Sequence, residues 1–529
     1  MLTASDRRDQ TLLDYSIDLQ HQYQSGSSAA ARKEKGQFFT PAGVCKFMAG
    51  LFTRRIPDFF RLLDPGAGVG SLTAAVCDRL LGVRSPRTIE LHAFENDDCV
   101  LVPLTRTLTR CCEALNAKGH SAIYVVHQKD FILDAAATVF REPSLFGEEL
   151  DFGMFDAVIM NPPYFKVSKE SRQARVMRDV VHGQPNIYAF FMAASAKMLH
   201  PNGELVAITP RSFCNGLYFR DFRRWFFERM GLDYVHLFQS RSDTFRDVLQ
   251  ESLVTRWHRL GKQSAEIVVS TSYGRDLLGS DTERVLPTSM IIDDDAGDAV
   301  IRIPGRTEDS AVVNIVESWP RRFSELGLRV STGPVVTFRA RQFLLPESNG
   351  RNTAPLISVF NVKPFDTLWP IPHKKHPSAF KVCAESKKLL LPCQNYVLLR
   401  RFSAKEERRR LTASCFIGSE QEWAYVALEN HLNYVYHSSR ELTVNELYGL
   451  AAIFNSALLD CYFRTISGNT QVNATELRTM PFPGLNIVAH IGEAVRDLTN
   501  RSSNAVERIV LQELQVNDSL QKYLLSVAS

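Results

Sequence analysis

The chain has 529 residues, of which 45% are hydrophobic and 23% charged, and its formal net charge is +4 at pH 7. This composition is that of an ordinary globular protein, and no run of about 18 uncharged apolar residues is present that could form a membrane span. The length predicts two or three domains. The weakly basic charge permits a nucleic-acid partner only if the cations cluster.

The N-terminal residues and the cysteines narrow the class of protein further. Residues 1–10, MLTASDRRDQ, lack the apolar core of a signal peptide, so we expect a cytoplasmic protein without a membrane partner. The ten cysteines form no CxxC pair, which argues against a zinc site and a disulfide framework. We therefore expect no bound metal.

The first predicted element belongs to an N-terminal helical extension over residues 1–35. The apolar spacing of TLLDYSIDLQHQYQ predicts a helix over residues 11–24, because the apolar side chains recur at helical intervals. The polar segment over residues 26–36 is typical of a connector.

From about residue 60, short apolar runs alternate with helical segments. The predicted strands span residues 60–64, 89–95, 122–128, 155–160, 204–209, 233–238 and 252–260. The predicted helices span residues 71–82, 100–119, 186–200 and 219–231. This alternation predicts an α/β fold with a parallel, doubly wound sheet. Polar, turn-rich segments replace it after about residue 262, so we place a domain boundary at residue 261, between a domain over 36–261 and a second domain over 262–529.

Polar segments follow the first three predicted strands. DPGAGVG, residues 64–70, opens a helix, and its glycines would let backbone N–H groups approach a ligand; a tight turn without a ligand is the alternative. Glu95 ends the second strand, where a carboxylate can accept hydrogen bonds from ribose hydroxyls. Asp130 and Phe131 follow the third strand, where they could contact an adenine. All three segments fall at the carboxyl edge of the sheet, where such folds bind ligands.

NPPY, residues 161–164, follows the fourth predicted strand. Proline has a fixed φ and no N–H group, so the two prolines form a stiff turn. The side-chain oxygen of Asn161 and the carbonyl of Pro162 offer two acceptors, which suit an amino group with two hydrogens. Tyr164 offers a flat face for stacking. A proline-rich turn with a half-buried tyrosine is the structural alternative.

These segments together resemble the S-adenosylmethionine-dependent DNA adenine-N6 methyltransferases of the gamma class. GQFFTP, residues 36–41, is similar to their N-terminal cofactor motif, and the glycine loop, FEND, KDF and NPPY follow in that family's order within residues 30–260. The resemblance implies a Rossmann-like methyltransferase domain, a C-terminal α+β target-recognition domain and S-adenosylmethionine as the cofactor. The implied cofactor-binding residues are Phe39, Thr40, Pro41, Asp64, Gly66, Ala67, Gly68, Glu95, Asn96, Asp130, Phe131 and Asn161.

The resemblance also implies the reaction and the catalytic residues. The target adenine leaves the duplex stack, and Asn161 and the Pro162 carbonyl bind its two N6 hydrogens, so that the nitrogen attacks the methyl group by direct displacement. The implied catalytic residues are Asn161, Pro162, Pro163 and Tyr164.

An aromatic sandwich around the target base is implied as well. Tyr164 stacks on one face, and Phe219 is expected on the other, with Tyr218 and Phe213 as alternatives. The family usually carries an extra antiparallel strand at the sheet edge, for which SLVTRWHRL, residues 252–260, is the candidate.

The second domain carries cationic segments between residues 374 and 410, which could neutralise phosphates. A solvated charged face is the alternative. SGNTQVNATELRTMPFP, residues 467–483, resembles a segment found late in recognition domains of this family. The candidate DNA-contacting residues are Lys374, Lys375, Arg400, Arg401, Asn469, Gln471 and Asn473.

PCQ, residues 392–394, matches the nucleophile motif of cytosine-C5 methyltransferases, in which a thiolate attacks the ring. It lies far after the glycine loop, in the second predicted domain, so we interpret Cys393 as a chance match.

The sequence thus predicts the modification enzyme of a restriction-modification system, acting as a monomer on double-stranded DNA. We find no nuclease motif in the chain and expect any restriction endonuclease partner to be encoded separately. An NPPY-type methyltransferase that acts on RNA or on protein glutamine is the alternative, and a binding module without catalysis is a further one.

Overall fold

Two units make up the computed structural model, Met1–Gly305 and Arg306–Ser529. The residues that the structure describes are 10–26, 37, 39–140, 154–180, 186–238, 251–259, 263–272, 282–294, 297–348, 350, 352–371, 376–403, 407–468 and 470–528.

A nine-stranded sheet organises the first unit. Its strands are β1 (Phe59–Asp64), β2 (Thr88–Phe94), β3 (Ser121–His127), β4 (Phe155–Met160), β5 (Leu199–Pro210), β6 (Met230–Phe238), β7 (Ser252–Arg259), β8 (Glu266–Ser272) and β9 (Thr282–Pro287). Their order across the sheet is β3-β2-β1-β4-β5-β7-β6-β8-β9. The first five strands pair in parallel, so their carboxyl ends meet at one edge. This arrangement confirms the predicted α/β fold with a doubly wound sheet.

Helices of the first unit connect and cover these strands. They are α1 (Leu12–Gly26), α2 (Ala42–Gly50), α3 (Ser71–Leu80), α4 (Asp98–Ala117), α5 (Ala137–Phe140), α6 (Arg172–Val176), α7 (Ile187–Met198), α8 (Arg220–Phe227) and α9 (Thr288–Ile291). A π-helix over Phe131–Ala136 leads into α5. Two short strands, β10 (Ile292–Asp293) and β11 (Val300–Ile301), complete the unit. Helix α7 is apolar on nearly every side and lies in the core, as a helix without a polar face should.

The predicted boundary at residue 261 falls inside the first unit. Strand β8 pairs in parallel with β6, and β9 pairs with β8, so the sheet continues beyond that position. The physical reason is local: the amino-acid sequence is polar at residues 261–265 and 273–281, and the strands β8 and β9 have only seven and six residues. The run EIVVSTS at residues 266–272 nevertheless contains the β-branched residues that favour a strand.

The strand predicted at the sheet edge lies inside the sheet. Strand β7 is antiparallel to its neighbours, as expected, but it pairs with β5 on one side and with β6 on the other. Within the described residues, β9 forms that edge of the sheet instead.

The helix of the predicted N-terminal extension packs on the rest of the first unit. The backbone N–H groups of Leu12 and Leu13 donate to the Asp78 carboxylate of α3 at 2.9 and 3.0 Å. Both leucines are buried in the same core as α2, α3 and α4. The Asp78 carboxylate therefore caps the amino end of helix α1, where a negative charge is favourable.

The second unit contains two five-stranded sheets and several helices. Its strands are β12 (Arg321–Arg322), β13 (Leu328–Thr332), β14 (Leu344–Leu345), β15 (Thr353–Ile357), β16 (Phe365–Asp366), β17 (Ala379–Lys381), β18 (Leu391–Pro392), β19 (Tyr396–Arg400), β20 (Ala413–Phe416), β21 (Tyr425–Leu428), β22 (Leu432–His437) and β23 (Pro481–Phe482). Its helices are α10 (Thr307–Glu317), α11 (Val444–Asn455), α12 (Ala457–Ile466), α13 (Ala474–Thr479), α14 (Leu485–Arg496), α15 (Ser503–Glu513) and α16 (Asp518–Ala528). The sheets run β13-β22-β19-β20-β16 and β14-β17-β15-β21-β18. This unit is α+β, as predicted.

Among the described residues, none of the helices is both long enough and apolar enough to cross a bilayer.

Candidate active site

A cavity of about 490 Å³ lies at the carboxyl ends of the parallel strands. Most of the predicted cofactor-binding residues line it, namely Phe39, Thr40, Gly66, Ala67, Gly68, Glu95, Asn96, Asp130, Phe131 and Asn161, together with the predicted catalytic residue Pro163. Pro41, Asp64, Pro162 and Tyr164 do not line it. The motifs thus converge on one cavity because parallel strands present their carboxyl ends at the same edge.

The glycine loop turns sharply between β1 and α3. The Ala67 N–H donates to the Phe94 carbonyl at 3.0 Å, and the Gly70 N–H donates to the Ala67 carbonyl at 2.8 Å. Gly70 has φ +84°, and a Cβ there would lie 3.1 Å from Leu104. Only glycine combines this backbone conformation with so little space. The loop therefore brings β2 and the start of α3 to the cavity.

Backbone amides hold the Glu95 carboxylate. Oε2 accepts from the Gly68 N–H at 2.9 Å, and Oε1 accepts from the N–H groups of Asn96 and Asp97 at 2.9 and 2.8 Å. Burial raises the pKa of Glu95, and the three hydrogen bonds oppose that rise. The carboxylate is thus fixed in direction and keeps lone pairs for a ligand.

Asp64 is buried beneath the loop and does not line the cavity. Its Oδ2 accepts from the Thr73 hydroxyl at 2.9 Å, so Asp64 ties the end of β1 to α3. Burial raises the pKa of Asp64 to about 7. Asp64 therefore supports the loop from behind, and its direct contact with a cofactor stays a prediction.

We expect Asp64→Asn to flatten the pH dependence of stability. Folded Asp64 keeps a proton up to a pKa of about 7, whereas the unfolded chain releases it near pH 4. Stability therefore falls as pH rises between these values. The wild type should lose more unfolding free energy than the variant between pH 5 and pH 8, by on the order of 2 kcal/mol. Urea unfolding at both pH values measures this difference, and identical pH dependences would contradict it.

Asn161 directly follows β4, and its side-chain amide is hydrogen-bonded on both sides. Its Nδ2 donates to the Thr40 hydroxyl at 3.0 Å, and its Oδ1 accepts from the Tyr164 hydroxyl at 2.6 Å. The same Tyr164 hydroxyl lies 2.9 Å from the Ile208 carbonyl of β5. Burial raises the pKa of Tyr164 well above its ordinary value, so the hydroxyl remains a donor. The GQFFTP and NPPY motifs therefore meet at one amide.

A buried tyrosine joins the two predicted base-stacking residues. Tyr188 packs edge-on against Tyr164 at a centroid distance of 6.4 Å and stacks on Phe219 at 5.6 Å. Its hydroxyl lies 2.8 Å from that of Ser212. Of the alternatives to Phe219, Phe213 is buried in the core and Tyr218 is 70% exposed. Sequence reasoning missed Tyr188 because it lies in the apolar helix α7.

Asp130 and Phe131 form another wall of the cavity. Asp130 caps the π-helix, since its Oδ1 accepts from the N–H groups of Ile132 and Leu133, both at 2.9 Å. Phe131 lies edge-on to Phe94 at 5.2 Å and packs against Phe191 at 5.0 Å. The result is an aromatic surface beside a fixed carboxylate.

Several cavity-lining residues carry no motif that would have identified them. Gln20 lies on α1 and Gln173 on α6, and Phe191 lies on α7. Gln37 lies within GQFFTP and Ser71 directly follows the glycine loop, so the motifs themselves mark the positions of these two residues. Within the described residues, no group of three or more His, Cys, Asp or Glu is placed to hold a metal ion.

The candidate DNA-contacting residues fall into three groups. Lys374, Lys375 and Asn469 lie outside the described residues. Arg400 donates to the Val362 carbonyl at 2.7 Å, and Asn473 bonds Glu476 at the start of α13, so both have structural partners. Arg401 and Gln471 lie together, with Arg401 Nη2 3.5 Å from Gln471 Oε1. The structure thus brings two of the seven into one cluster.

Cys393 lies in the second unit, outside the cavity-bearing first unit. Burial raises the pKa of its thiol, which disfavours the thiolate that a nucleophile requires. This environment agrees with a chance match of PCQ.

Comparison with known proteins identifies the family. The model of the Eco57I restriction-modification methylase family matches residues 103–245. The type II methyltransferase M.BsuBI of Bacillus subtilis is 33% identical over 493 residues, covering 92% of this chain and 95% of the relative. M.PstI of Providencia stuartii, also a type II methyltransferase, is 32% identical over 489 residues, covering 92% and 94%.

A solved structure has a similar fold. The structure of the type IIL restriction-modification enzyme MmeI in complex with DNA matches 99% of this chain and 77% of its own, with a TM-score of 0.51 and 12% identity. That match concerns the fold alone, whereas the sequence relationship to M.BsuBI extends over nearly the whole of both chains. The chain therefore belongs to the type II methyltransferases of restriction-modification systems.

Proposed function

We propose that this methyltransferase transfers a methyl group from S-adenosylmethionine to N6 of a flipped adenine in double-stranded DNA. The observation that carries the proposal is the Asn161 amide, held by Thr40 and Tyr164 at the edge of the cavity that contains Glu95. A fixed acceptor beside a nucleoside-type pocket suits the methylation of an amino group. In a restriction-modification system, this reaction protects the DNA.

The residues of the cavity fit the proposed cofactor. The Glu95 carboxylate, aimed by three backbone amides, would accept hydrogen bonds from the ribose hydroxyls. Asp130 and Phe131 would contact the adenine, and Phe39, Thr40 and the glycine loop would surround the methionine part. When bound, S-adenosylmethionine supplies the electrophilic methyl group.

Asn161 would position the target amino group. Its Oδ1 accepts one N6 hydrogen and the Pro162 carbonyl accepts the other, which turns the nitrogen lone pair out of ring conjugation and towards the methyl group. The nitrogen–carbon bond forms as the sulfur–carbon bond breaks, and the extra N6 proton then leaves to solvent. Positioning supplies most of the rate enhancement.

Tyr164 would have two tasks, and Tyr164→Phe separates them. The variant keeps the ring for base stacking but loses the hydroxyl that lies 2.6 Å from Asn161 Oδ1. Because that contact orients the amide, we expect kcat to fall by about tenfold, the effect of one lost hydrogen bond of about 1.4 kcal/mol. Single-turnover methylation measures the rate. Tyr164→Ala, which also removes the ring, should be slower still, and a fully active Tyr164→Phe would leave stacking as the residue's sole role.

We propose that the second unit contacts DNA through Arg401, Gln471 and the neighbouring Phe402. Arg401 donates to the Asn430 carbonyl at 3.0 Å and lies over the Phe402 ring, which is 39% exposed. A guanidinium has five N–H donors, so others remain for a phosphate. Gln471 can pair with a base edge, since its amide both donates and accepts.

Arg401→Ala and Gln471→Ala should differ in their effects on binding. Loss of Arg401 should weaken cognate and non-cognate DNA alike and reduce the log–log salt slope by about 0.9. Loss of Gln471 should weaken cognate DNA selectively, by about tenfold. Fluorescence anisotropy over a salt series measures both. Arg496→Ala, which alters a partly exposed arginine of α14, is the matched control. Equal loss of cognate preference in both variants would contradict this assignment.

Identification of the methylated atom tests the function. Genomic DNA from cells that express the protein should carry N6-methyladenine within one sequence motif, as read by single-molecule sequencing, and cells expressing Asn161→Ala should lack it. Methylated RNA or protein glutamine in place of modified DNA would favour the alternative. The family's place in restriction-modification systems supports DNA. A cytoplasmic location, a monomeric state and a separately encoded endonuclease remain predictions.

A further inference from the structure

Two buried side-chain oxygen atoms at the cavity have no hydrogen-bond partner in the described part of the chain. Gln20 of α1 and Ser71 at the start of α3 are each 6% exposed, and both line the cavity. The Oε1 atom of Gln20 and the Oγ atom of Ser71 are fully buried and unpaired. Buried polar groups are nearly always hydrogen-bonded in folded proteins, so two unpaired groups in one cavity call for a ligand.

The packing of α1 against α3 places Gln20 and Ser71 at the same height along the two helix axes. Leu12 and Leu13 bond to Asp78, near the carboxyl end of α3. Gln20 follows Leu13 by seven residues, and Ser71 precedes Asp78 by the same interval. Each interval corresponds to a rise of about 10 Å, so antiparallel packing of the two helices brings Gln20 towards the amino end of α3.

Contacts one turn further along α1 agree with this placement. The Tyr23 ring lies edge-on to Phe39 at 5.7 Å, and Phe39 lies 3.4 Å from the position of a Cβ on Gly68. The Tyr23 hydroxyl donates to Gln37 Oε1 at 3.3 Å, and Gln37 Nε2 donates to Asp97 at 2.6 Å. Helix α1 therefore borders the cavity beside the glycine loop. Through Gln37, it is also connected to Asp97, two residues after Glu95.

We propose that Gln20 and Ser71 bind the amino-acid end of the cofactor, which makes the N-terminal helix part of the cofactor site. This inference rests on the proposed function, because Glu95 and Asp130 account for the nucleoside end and Asn161 for the reacting group. A zwitterionic amino acid presents a carboxylate and an ammonium group. The Ser71 hydroxyl donates to the carboxylate at the positive end of α3, and the Gln20 amide bonds the same zwitterion.

The decisive comparison uses two ligands that differ only beyond the sulfur. S-adenosylhomocysteine contains the amino-acid end, whereas 5′-methylthioadenosine has a methyl group in its place. Gln20→Met keeps the length of the side chain and removes its amide. We expect it to raise the Kd of S-adenosylhomocysteine by about tenfold, the effect of a hydrogen bond to a charged group, and to leave that of 5′-methylthioadenosine unchanged. Isothermal titration calorimetry on the full chain measures both.

Matched variants separate this role from a structural one. Gln22→Met alters an exposed residue of the same helix and should change neither affinity. Ser71→Ala removes one oxygen and should repeat the ligand-selective loss, which provides a second test if Gln20→Met folds poorly. Equal weakening of both ligands, or no weakening, would overturn the inference. If the wild type bound neither ligand, the proposed cofactor itself would be wrong. If the wild type bound both ligands and the variants showed no ligand-selective loss, only the role of Gln20 and Ser71 would be wrong.

Discussion

Asn161→Ala is expected to abolish methyl transfer while cofactor affinity survives. Alanine removes the Oδ1 acceptor proposed to hold the target amino group, along with the common partner of Thr40 and Tyr164. The loss should reach about 10³-fold or more in kcat, because positioning and preorganised polar groups supply most of such a rate enhancement. Transfer of a labelled methyl group to DNA measures kcat, and calorimetry with S-adenosylhomocysteine should give a Kd within about threefold of the wild type.

Asn161→Asp is the matched control for this prediction. Aspartate retains an acceptor oxygen at the same distance from the backbone, and the Thr40 hydroxyl can reverse its hydrogen bond to donate to the carboxylate. The Asp variant should therefore be faster than the Ala variant, though slower than the wild type. Full activity of Asn161→Ala would refute the proposed role, and loss of cofactor binding with unchanged kcat at saturation would make Asn161 a cofactor residue only.

The parts of the site that the sequence predicted are those governed by local patterns. Glycines after a strand, a carboxylate at the next strand end and NPPY after β4 each mark a strand's carboxyl end. Parallel pairing of β2, β1 and β4 then brings these ends together at one edge. The location of the cavity therefore followed from the order of strands and motifs without knowledge of any side-chain contact.

The remaining features depend on contacts that no local pattern records. Gln20 lies on a helix for which the spacing of apolar residues indicated only a buried face. The position of Gln20 at the cavity follows from the hydrogen bonds of α1 to Asp78. Tyr188 was hidden in an apolar helix, where aromatic residues usually belong to the core. The predicted boundary at residue 261 falls within the first unit because β8 pairs with β6, a partner distant in sequence.

Glu95→Gln should weaken cofactor binding far more than its small chemical change suggests. The carboxylate offers acceptors on both oxygens: Oε2 to the Gly68 N–H, and Oε1 to the N–H groups of Asn96 and Asp97. An amide offers one acceptor, so its NH₂ group must face backbone donors on one side. The variant then loses the orientation of the glycine loop as well as the charge-assisted bonds to ribose hydroxyls.

We expect the Kd for S-adenosylhomocysteine to rise by about 100-fold in Glu95→Gln, which corresponds to about 2.7 kcal/mol, within the range of one to two hydrogen bonds to a charged group. Activity should recover at saturating cofactor, because the residue holds the ribose and touches no reacting atom. Adenosine, which retains the ribose hydroxyls, should show a comparable loss of affinity, whereas Gln20→Met should leave adenosine binding unchanged. A Glu95→Gln variant that kept wild-type affinity but lost kcat would mean that the carboxylate acts in the chemical step instead. The two substitutions therefore divide the cavity between its nucleoside end and its amino-acid end.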